Sequence, residues 1–361
     1  MRADGTISLE GEADAIRWAV DNGARVINLS LGGLRDPRNP SRDTYSALEA
    51  SAVDYAAAHG AVIVAAVGNS DQAPVSPWPY ATYPAALPHV IGVSALARDG
   101  SASSISNRDD VYNDIAAPGE DMFSTLPRSL TRVFPTCTDQ GYSDCGPKDY
   151  RHAEGTSFAA PQVAAAAALV IAERPSLTSD QVSAIVERSA DDANAANGCP
   201  RCPLLRDALT GWGRLDIAKA LAVATRGVIP PPDRYETNDD AGTHAAPVPP
   251  TGGHLTATID FWDDPTDVYS IRVAARTKLT ATVAGATGMS LQLRLWNPQT
   301  RTVFGSVSRK LSVARSTQPG ARQRVSFTTP AGRSARYFVE VRIVGPGSGP
   351  YTLTWARTPG T

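Results

Sequence analysis

The sequence is short of the features that assign a chain quickly to a class. Net charge is nearly absent: 34 Lys and Arg stand against 36 Asp and Glu, a balance of −2. A field that weak does not draw a chain to nucleic acid or to an anionic membrane, so neither is expected as a partner. No run reads as long and apolar enough to cross a bilayer, so no membrane span is expected. Met1-Arg-Ala-Asp-Gly-Thr6 holds neither a basic leader nor an apolar segment, so no signal peptide is expected there. Cysteine is limited to four residues, in two local pairs, Cys137/Cys145 and Cys199/Cys202. Histidine is limited to five: His59, His89, His152, His244 and His254. Apolar residues are not short. At 42% they suffice for globular cores, and the length suggests two domains.

The organising stretch is Glu154-Gly-Thr-Ser-Phe-Ala-Ala-Pro-Gln-Val163, followed by an apolar run from Ala164 to Ala172. It reads as a turn feeding a helix that is apolar on every side, which belongs inside a core. Ser157 falls where the helix begins. Pro161 is acceptable if it lies in the first turns, whose N–H groups have no internal acceptor. A Ser before a helix is most often a cap. Its N–H and the helix dipole also suit an oxyanion. A second stretch favours that use. Ala61-Val-Ile-Val-Ala-Ala-Val67 reads as a strand buried on both faces, and it ends in Gly68-Asn69. An Asn at the C-terminal end of a parallel strand points into the crevice where such sheets bind ligands.

Gly155-Thr-Ser-x-Ala-x-Pro161 and Val64-Ala-Ala-Val-Gly-Asn69 together resemble the subtilisin family of serine proteases, peptidase S8. Arg25-Val-Ile-Asn-Leu-Ser-Leu-Gly-Gly33 is similar to that family's substrate-binding strand. Tyr83-Pro84, His89–Ser94, Ile115–Gly119 and Gly211–Asp216 match later landmarks. The resemblance implies a serine endopeptidase that forms an acyl-enzyme on Ser157. It implies that the Asn69 side chain and the Ser157 N–H form the oxyanion hole. Ser30, Leu31 and Gly32 would line one wall of the primary specificity pocket, and Ala66, Val67 and Gly68 the other. Ser70 is neutral where a charge would favour basic side chains, so apolar or neutral residues are expected before the scissile bond. The family implies a protein or peptide substrate, secretion to the extracellular space, and no metal or cofactor in the chemistry.

Two of the family's motifs are missing. Neither Asp-Ser/Thr-Gly nor His-Gly-Thr-His occurs in the sequence. The helix expected over Glu12–Gly23 corresponds to one that follows both motifs in the family, so the chain resembles a member truncated at its N-terminal side. The strand at Arg25–Leu31 is then an open edge, which invites self-association. No histidine is an evident substitute. His59 reads as a helix cap, His89 opens a strand, and His244 and His254 lie in the C-terminal region. His152 precedes Ser157 closely, in a polar loop with nothing to orient it. Without a base Ser157 is an ordinary alcohol, so this chain alone is expected to be inactive. Gln162, Ala165 and Phe158 replace the family's usual His, Gly and Met without removing chemistry. The alternative is a non-catalytic module that binds peptides or serves adhesion.

Helices alternate with apolar strands through the first part: a strand at Arg25–Leu31, a helix at Ser46–Ala58, then strands at Ala61–Val67, Val90–Ala95 and Asp114–Ala117. That alternation is α/β, a mostly parallel sheet flanked by helices. Asp121–Arg151 is too long for an ordinary connection and reads as a loop stapled by Cys137 and Cys145. The four cysteines suggest two local disulfides and an oxidising compartment; a four-cysteine zinc site is the alternative. The boundaries read as a peptidase-like domain at 1–225, a proline-rich linker at 226–234 and a second domain at 235–361. Short alternating runs from Leu255 to Trp355 mark that second domain as a β-sandwich or jelly roll. Tyr235–Asp240, Asp264–Tyr269 and Gly347–Thr354 resemble the bacterial pre-peptidase C-terminal domain. Asp239, Asp240, Asp263, Asp264 and Asp267 suit calcium by ligand type, although turn-forming acids at a solvated edge are the commoner use.

Overall fold

In the computed structural model, which describes residues 7–125, 150–231, 233–303, 308–316, 318 and 320–359, small polar residues start the helices. Ser8 Oγ accepts from Gly11 N at 3.2 Å and opens α1 (Leu9–Asp21). Ser46 Oγ accepts from Glu49 N at 3.3 Å and opens α2 (Ala47–Ala58), which closes at His59. These caps satisfy N–H groups that the helix cannot. Between and after them run β1 (Val26–Leu29), β2 (Val62–Ala66), β3 (Val90–Leu96) and β4 (Ile115–Pro118). The four strands form a parallel sheet in that order, with Val26 opposite Val62, Ile63 opposite Val90 and Val93 opposite Ile115.

Every residue of β2 and β3 is buried, as their mostly apolar sequences require, with Ser94 the one polar side chain among them. Ile63 and Ala65 pack with Ala13 and Ile16 of α1 and with Ala52, Val53 and Ala56 of α2. Val62, Val64 and Ala66 alternate to the opposite face and are equally buried. α3 (Thr156–Glu173) packs across all four strands, and α4 (Ser179–Arg188) and α5 (Ile217–Arg226) pack on α3. Thr178 and Gln181 close a reciprocal capping box at the start of α4.

The central helix departs from expectation. α3 is not buried all round: Pro161, Ala165, Ala168, Leu169 and Ala172 form an exposed stripe at helical spacing. By length and composition α3 also resembles a membrane span, contrary to the reading that no segment does. Its buried Ala160, Val163, Ala167 and Val170 supply a simpler cause for that composition. Asp121–Arg151 is not wholly a loop either. Its ends are β5 (Met122–Thr125) and β6 (Tyr150–Ala153), paired antiparallel. Cys137 and Cys145 lie outside the described residues. Cys199 and Cys202 are bonded to each other, which removes them as ligands of a four-cysteine zinc site.

Contacts divide the chain into Met1–Arg226 and Gly227–Thr361. The second unit contains β7 (Ala246–Pro247), β8 (Gly253–Asp260), β9 (Thr266–Val273), β10 (Thr277–Gly285), β11 (Leu291–Trp296), β12 (Ser312–Ser316), β13 (Arg322–Thr328), β14 (Ala335–Ile343) and β15 (Ser348–Pro359). They form two sheets, ordered β13-β10-β15-β8 and β12-β11-β14-β9-β7. Inward residues of both, among them Ile259, Leu279 and Leu353 of one and Ile271, Leu293 and Val339 of the other, share one core.

One polar pair sits inside the first unit. Glu12 and Glu49 meet between α1 and α2, 7% and 2% exposed, and hydrogen-bond to each other. Burial, then the Glu12 charge, pushes the Glu49 carboxyl up to about 8, and burial raises Glu12 too. Unfolded, both ionise near 4.5. The folded chain therefore keeps a proton that the unfolded chain has released. The pair's contribution to stability is complete below that ordinary value and is lost as pH rises through about 8. Melting temperature is expected to fall as pH is raised across that window, and Glu49→Gln to flatten the fall. Parallel thermal melts of the two forms check this; identical slopes would reject it.

Candidate active site

The site begins where β2 ends. Val67-Gly68-Asn69 leaves the strand with Gly68 at φ +94°, a turn that a residue with a Cβ adopts only under strain. That turn delivers the Asn69 side chain to the start of α3. Asn69 Oδ1 accepts from Thr156 N at 3.0 Å and from Thr156 Oγ1 at 3.1 Å. Thr156 Oγ1 in turn accepts from Gly68 N at 3.2 Å. With the carbonyl end of its amide occupied, Asn69 has its NH2 end left to give. A Cβ on Gly155 would stand 3.3 Å from Asn69 Nδ2, and Gly155 has φ +144°. Both facts explain a glycine there.

Gly155 is the N-cap of α3, and Ser157 is its second residue rather than the cap. The Ser157 N–H is therefore one of the helix-start donors that lack an internal acceptor. Ser157 is half-buried. Its Oγ donates to Ser30 O at 3.4 Å, while Ser30 Oγ donates to Ser157 O at 2.7 Å. The second bond explains Pro161. That residue is the sixth of α3, past the first N–H groups without an internal acceptor, where it was expected. Its missing N–H leaves the Ser157 carbonyl without a helical donor, and Ser30 supplies one.

Ser157 and Asn69 are thus joined through a single residue, Thr156. Two donors, one backbone and one amide, stand at the N-terminus of a helix whose dipole favours negative charge. Sequence reasoning passed over Thr156, although it lies inside the motif. It also passed over Asn107, which donates to Val67 O at 3.1 Å and braces the Asn69 turn.

The segments expected as pocket walls lie on either side of Thr82 and Tyr83. Gly33 and Tyr83 exchange backbone bonds of 2.9 Å on one side, and Thr82 N donates to Val67 O at 3.0 Å on the other. Ala66 and Val67 are buried, while Ser30, Leu31 and Gly68 are half-exposed and Gly32 exposed. Ser70 corrects its expected part. It is 2% exposed and hydrogen-bonds to Trp78 N, so it does not face a ligand.

Histidine placement also differs in one respect. His152 is oriented after all: its Nδ1 lies 2.7 Å from Asp121 Oδ1, and its ring packs tilted against Phe123, with centroids 4.9 Å apart. Ser157, however, makes its side-chain hydrogen bond to Ser30 among the described residues. His59 caps α2, and His89 pairs with Asp180 at 3.3 Å.

In the second unit three acids cluster, none of them fully buried. Glu236, Asp239 and Asp264 bring carboxylate oxygens within 4.8 Å of one another. Burial, then the charges of Asp267 and Glu236, pushes Asp264 up to about 11; burial and Asp239 raise Glu236. Asp264 Oδ1, Glu236 Oε1 and the Oδ1 of fully buried Asn238 have no hydrogen-bond partner. Two of the expected ligands are structural instead. Asp240 Oδ1 accepts from Ala241 N and Val303 N, and Asp267 accepts from Asn238 Nδ2 and Tyr351 OH. Glu236 was not foreseen.

The profile of the Subtilase family matches residues 1–213. Subtilisin DY of Bacillus licheniformis is 34% identical over 182 residues, covering 50% of this chain and 55% of that protein. Fervidolysin of Fervidobacterium pennivorans is 32% identical over 224 residues, covering 60% of this chain and 28% of that protein. Among solved structures, a prenylagaramide maturation protease aligns with TM-score 0.47 and 25% identity, over 62% of this chain and 70% of that one. The chain thus spans little more than half of one curated relative and less of the other.

Proposed function

Because the chain belongs to the subtilase family, we propose that its first unit is the nucleophile-bearing part of a secreted serine endopeptidase. Ser157 attacks the peptide carbonyl and carries the acyl group. Asn69 Nδ2 and the Ser157 N–H hold the tetrahedral oxyanion. The observation that supports this most is the anchoring of Asn69 Oδ1 by Thr156, the residue next to Ser157, which leaves Nδ2 as the end of the amide available to donate. A module that only binds peptides needs no such arrangement. These residues include no Asp-Ser/Thr-Gly or His-Gly-Thr-His motif, so the chain alone has no base and is inactive. The pure chain is expected not to turn over a chromogenic peptide; turnover that Ser157→Ala abolishes would overturn that. Combined with a subtilase segment bearing both motifs, it is expected to gain turnover that Ser157→Ala removes. Asn69→Ala should lower it about 10²–10³-fold, the effect known for the matching amide of subtilisin. Gain of turnover that is indifferent to Ser157 would reject the assignment.

β1 lies at the sheet edge, with Val26 and Ile27 half-exposed. This edge pairs with a strand from a second copy of the chain. Sedimentation is expected to show association that rises with concentration; a stable monomer at all concentrations counts against it.

The second unit is read as a β-sandwich of the pre-peptidase C-terminal kind, with a calcium ion held by Glu236, Asp239 and Asp264. Hard oxygen donors suit that ion, and the Asp264 Oδ1 and Glu236 Oε1 atoms without a hydrogen-bond partner are free to coordinate it. Calcium is expected to raise the melting temperature of the full chain, and Asp264→Asn to abolish the rise. No calcium dependence in the parent chain removes the site.

A further inference from the structure

The two glycines of the expected pocket walls face the same side chain. A Cβ built on Gly32 would meet Thr82 Oγ1 at 2.8 Å, and one built on Gly68 would meet Thr82 Cγ2 at 2.5 Å. The space that the glycines leave open is therefore already filled; Tyr83 O at 2.6 Å from the first Cβ and Asn107 Nδ2 at 2.7 Å from the second border it, and Thr82 is the one side chain common to both. This side chain is also fixed. Its Oγ1 donates to Ala66 O at 3.1 Å, and its backbone N donates to Val67 O at 3.0 Å. A β-branched residue held in this way has little rotamer freedom with which to step aside. Beyond it the walls close through the Gly33–Tyr83 pairing.

From this geometry we infer that Thr82 is the specificity-determining residue of the pocket, and that it restricts the residue before the scissile bond to small side chains: Gly, Ala or Ser. The inference rests on the reading of residues 30–32 and 66–68 as pocket walls. It narrows the expectation of apolar or neutral residues, because an aromatic or long aliphatic side chain would need the volume that the Thr82 methyl and hydroxyl occupy. Selection here is by shape. The hydroxyl is already engaged with Ala66 O, so the methyl and oxygen act as a plug and not as a recognition donor.

Binding rather than turnover tests this, so no catalytic base is required. Acylated tetrapeptide acids that differ only in a terminal Ala or Phe are titrated into the full chain by calorimetry. The Phe peptide is expected to bind about tenfold or more weakly than the Ala peptide. Thr82→Gly should remove that difference by tightening the Phe peptide. Thr82→Val, which keeps the shape and loses the hydroxyl, should preserve it. Thr82→Ser, which keeps the bond to Ala66 O, serves if the glycine variant does not fold; it should relieve part of the difference. Equal binding of both peptides to the parent chain overturns the inference and leaves the protease reading standing. So does a Phe peptide that stays weak on both the Gly and Ser variants. Failure of every form to bind either peptide overturns the pocket reading, and this inference with it.

Discussion

The site depends on the two hydrogen bonds from Thr156 to Asn69 Oδ1. They tie the end of a central strand to the start of the central helix. Each partner would be ordinary alone. An Asn after a strand is a turn residue, and a Thr opening a helix is one polar residue among several. Joined, they decide which end of the amide is engaged by the helix and which is left to donate. The constraint reaches further through Gly68, whose N–H is received by the same Thr156 hydroxyl. One small polar side chain thereby sets the strand exit, the amide orientation and the helix entry together.

Much of this was legible in the sequence, because the signals are local. The helix over Ser46–Ala58 and the apolar stretches at 62–66 and 90–96, the second broken only by Ser94, were readable, whereas the first helix was expected from Glu12 and its Ser8 cap was passed over. The short strands of the second unit alternate plainly enough to read. β12 does not: Ser312-Val-Ala-Arg-Ser316 is an edge strand with little to bury. What the sequence could not reveal were relations between distant residues. Pro161 read as a proline among N–H groups that need no acceptor, because nothing local says that Ser30 will satisfy the carbonyl it abandons. Thr82 carries no mark of lying between Gly32 and Gly68. Asp121 is too far from His152 in the chain to be foreseen as its partner.

Both units keep carboxyls away from water, and they manage the cost differently. Glu12 and Glu49 share a proton between two helices, so protonation replaces solvation. Asp267 is satisfied by neutral donors, Tyr351 and Asn238, in the core of the second unit. Glu236 and Asp264 keep unpaired oxygens in the midst of further acids. An isolated buried charge is expensive, so these three solutions carry different demands: a titratable pair answers to pH, a satisfied network answers to nothing outside, and an unsatisfied cluster answers to cations.

The reciprocal contacts between Ser30 and Ser157 have a mechanical corollary. The hydroxyl proton of Ser157 rests on a main-chain carbonyl, while the backbone of the same residue is pinned by the neighbouring side chain. Rotation about one side-chain bond would redirect the oxygen, with the helix and strand staying where they are. Such a hydroxyl is parked rather than disabled: its framework is rigid, and the only moving part is the one that chemistry would need to turn.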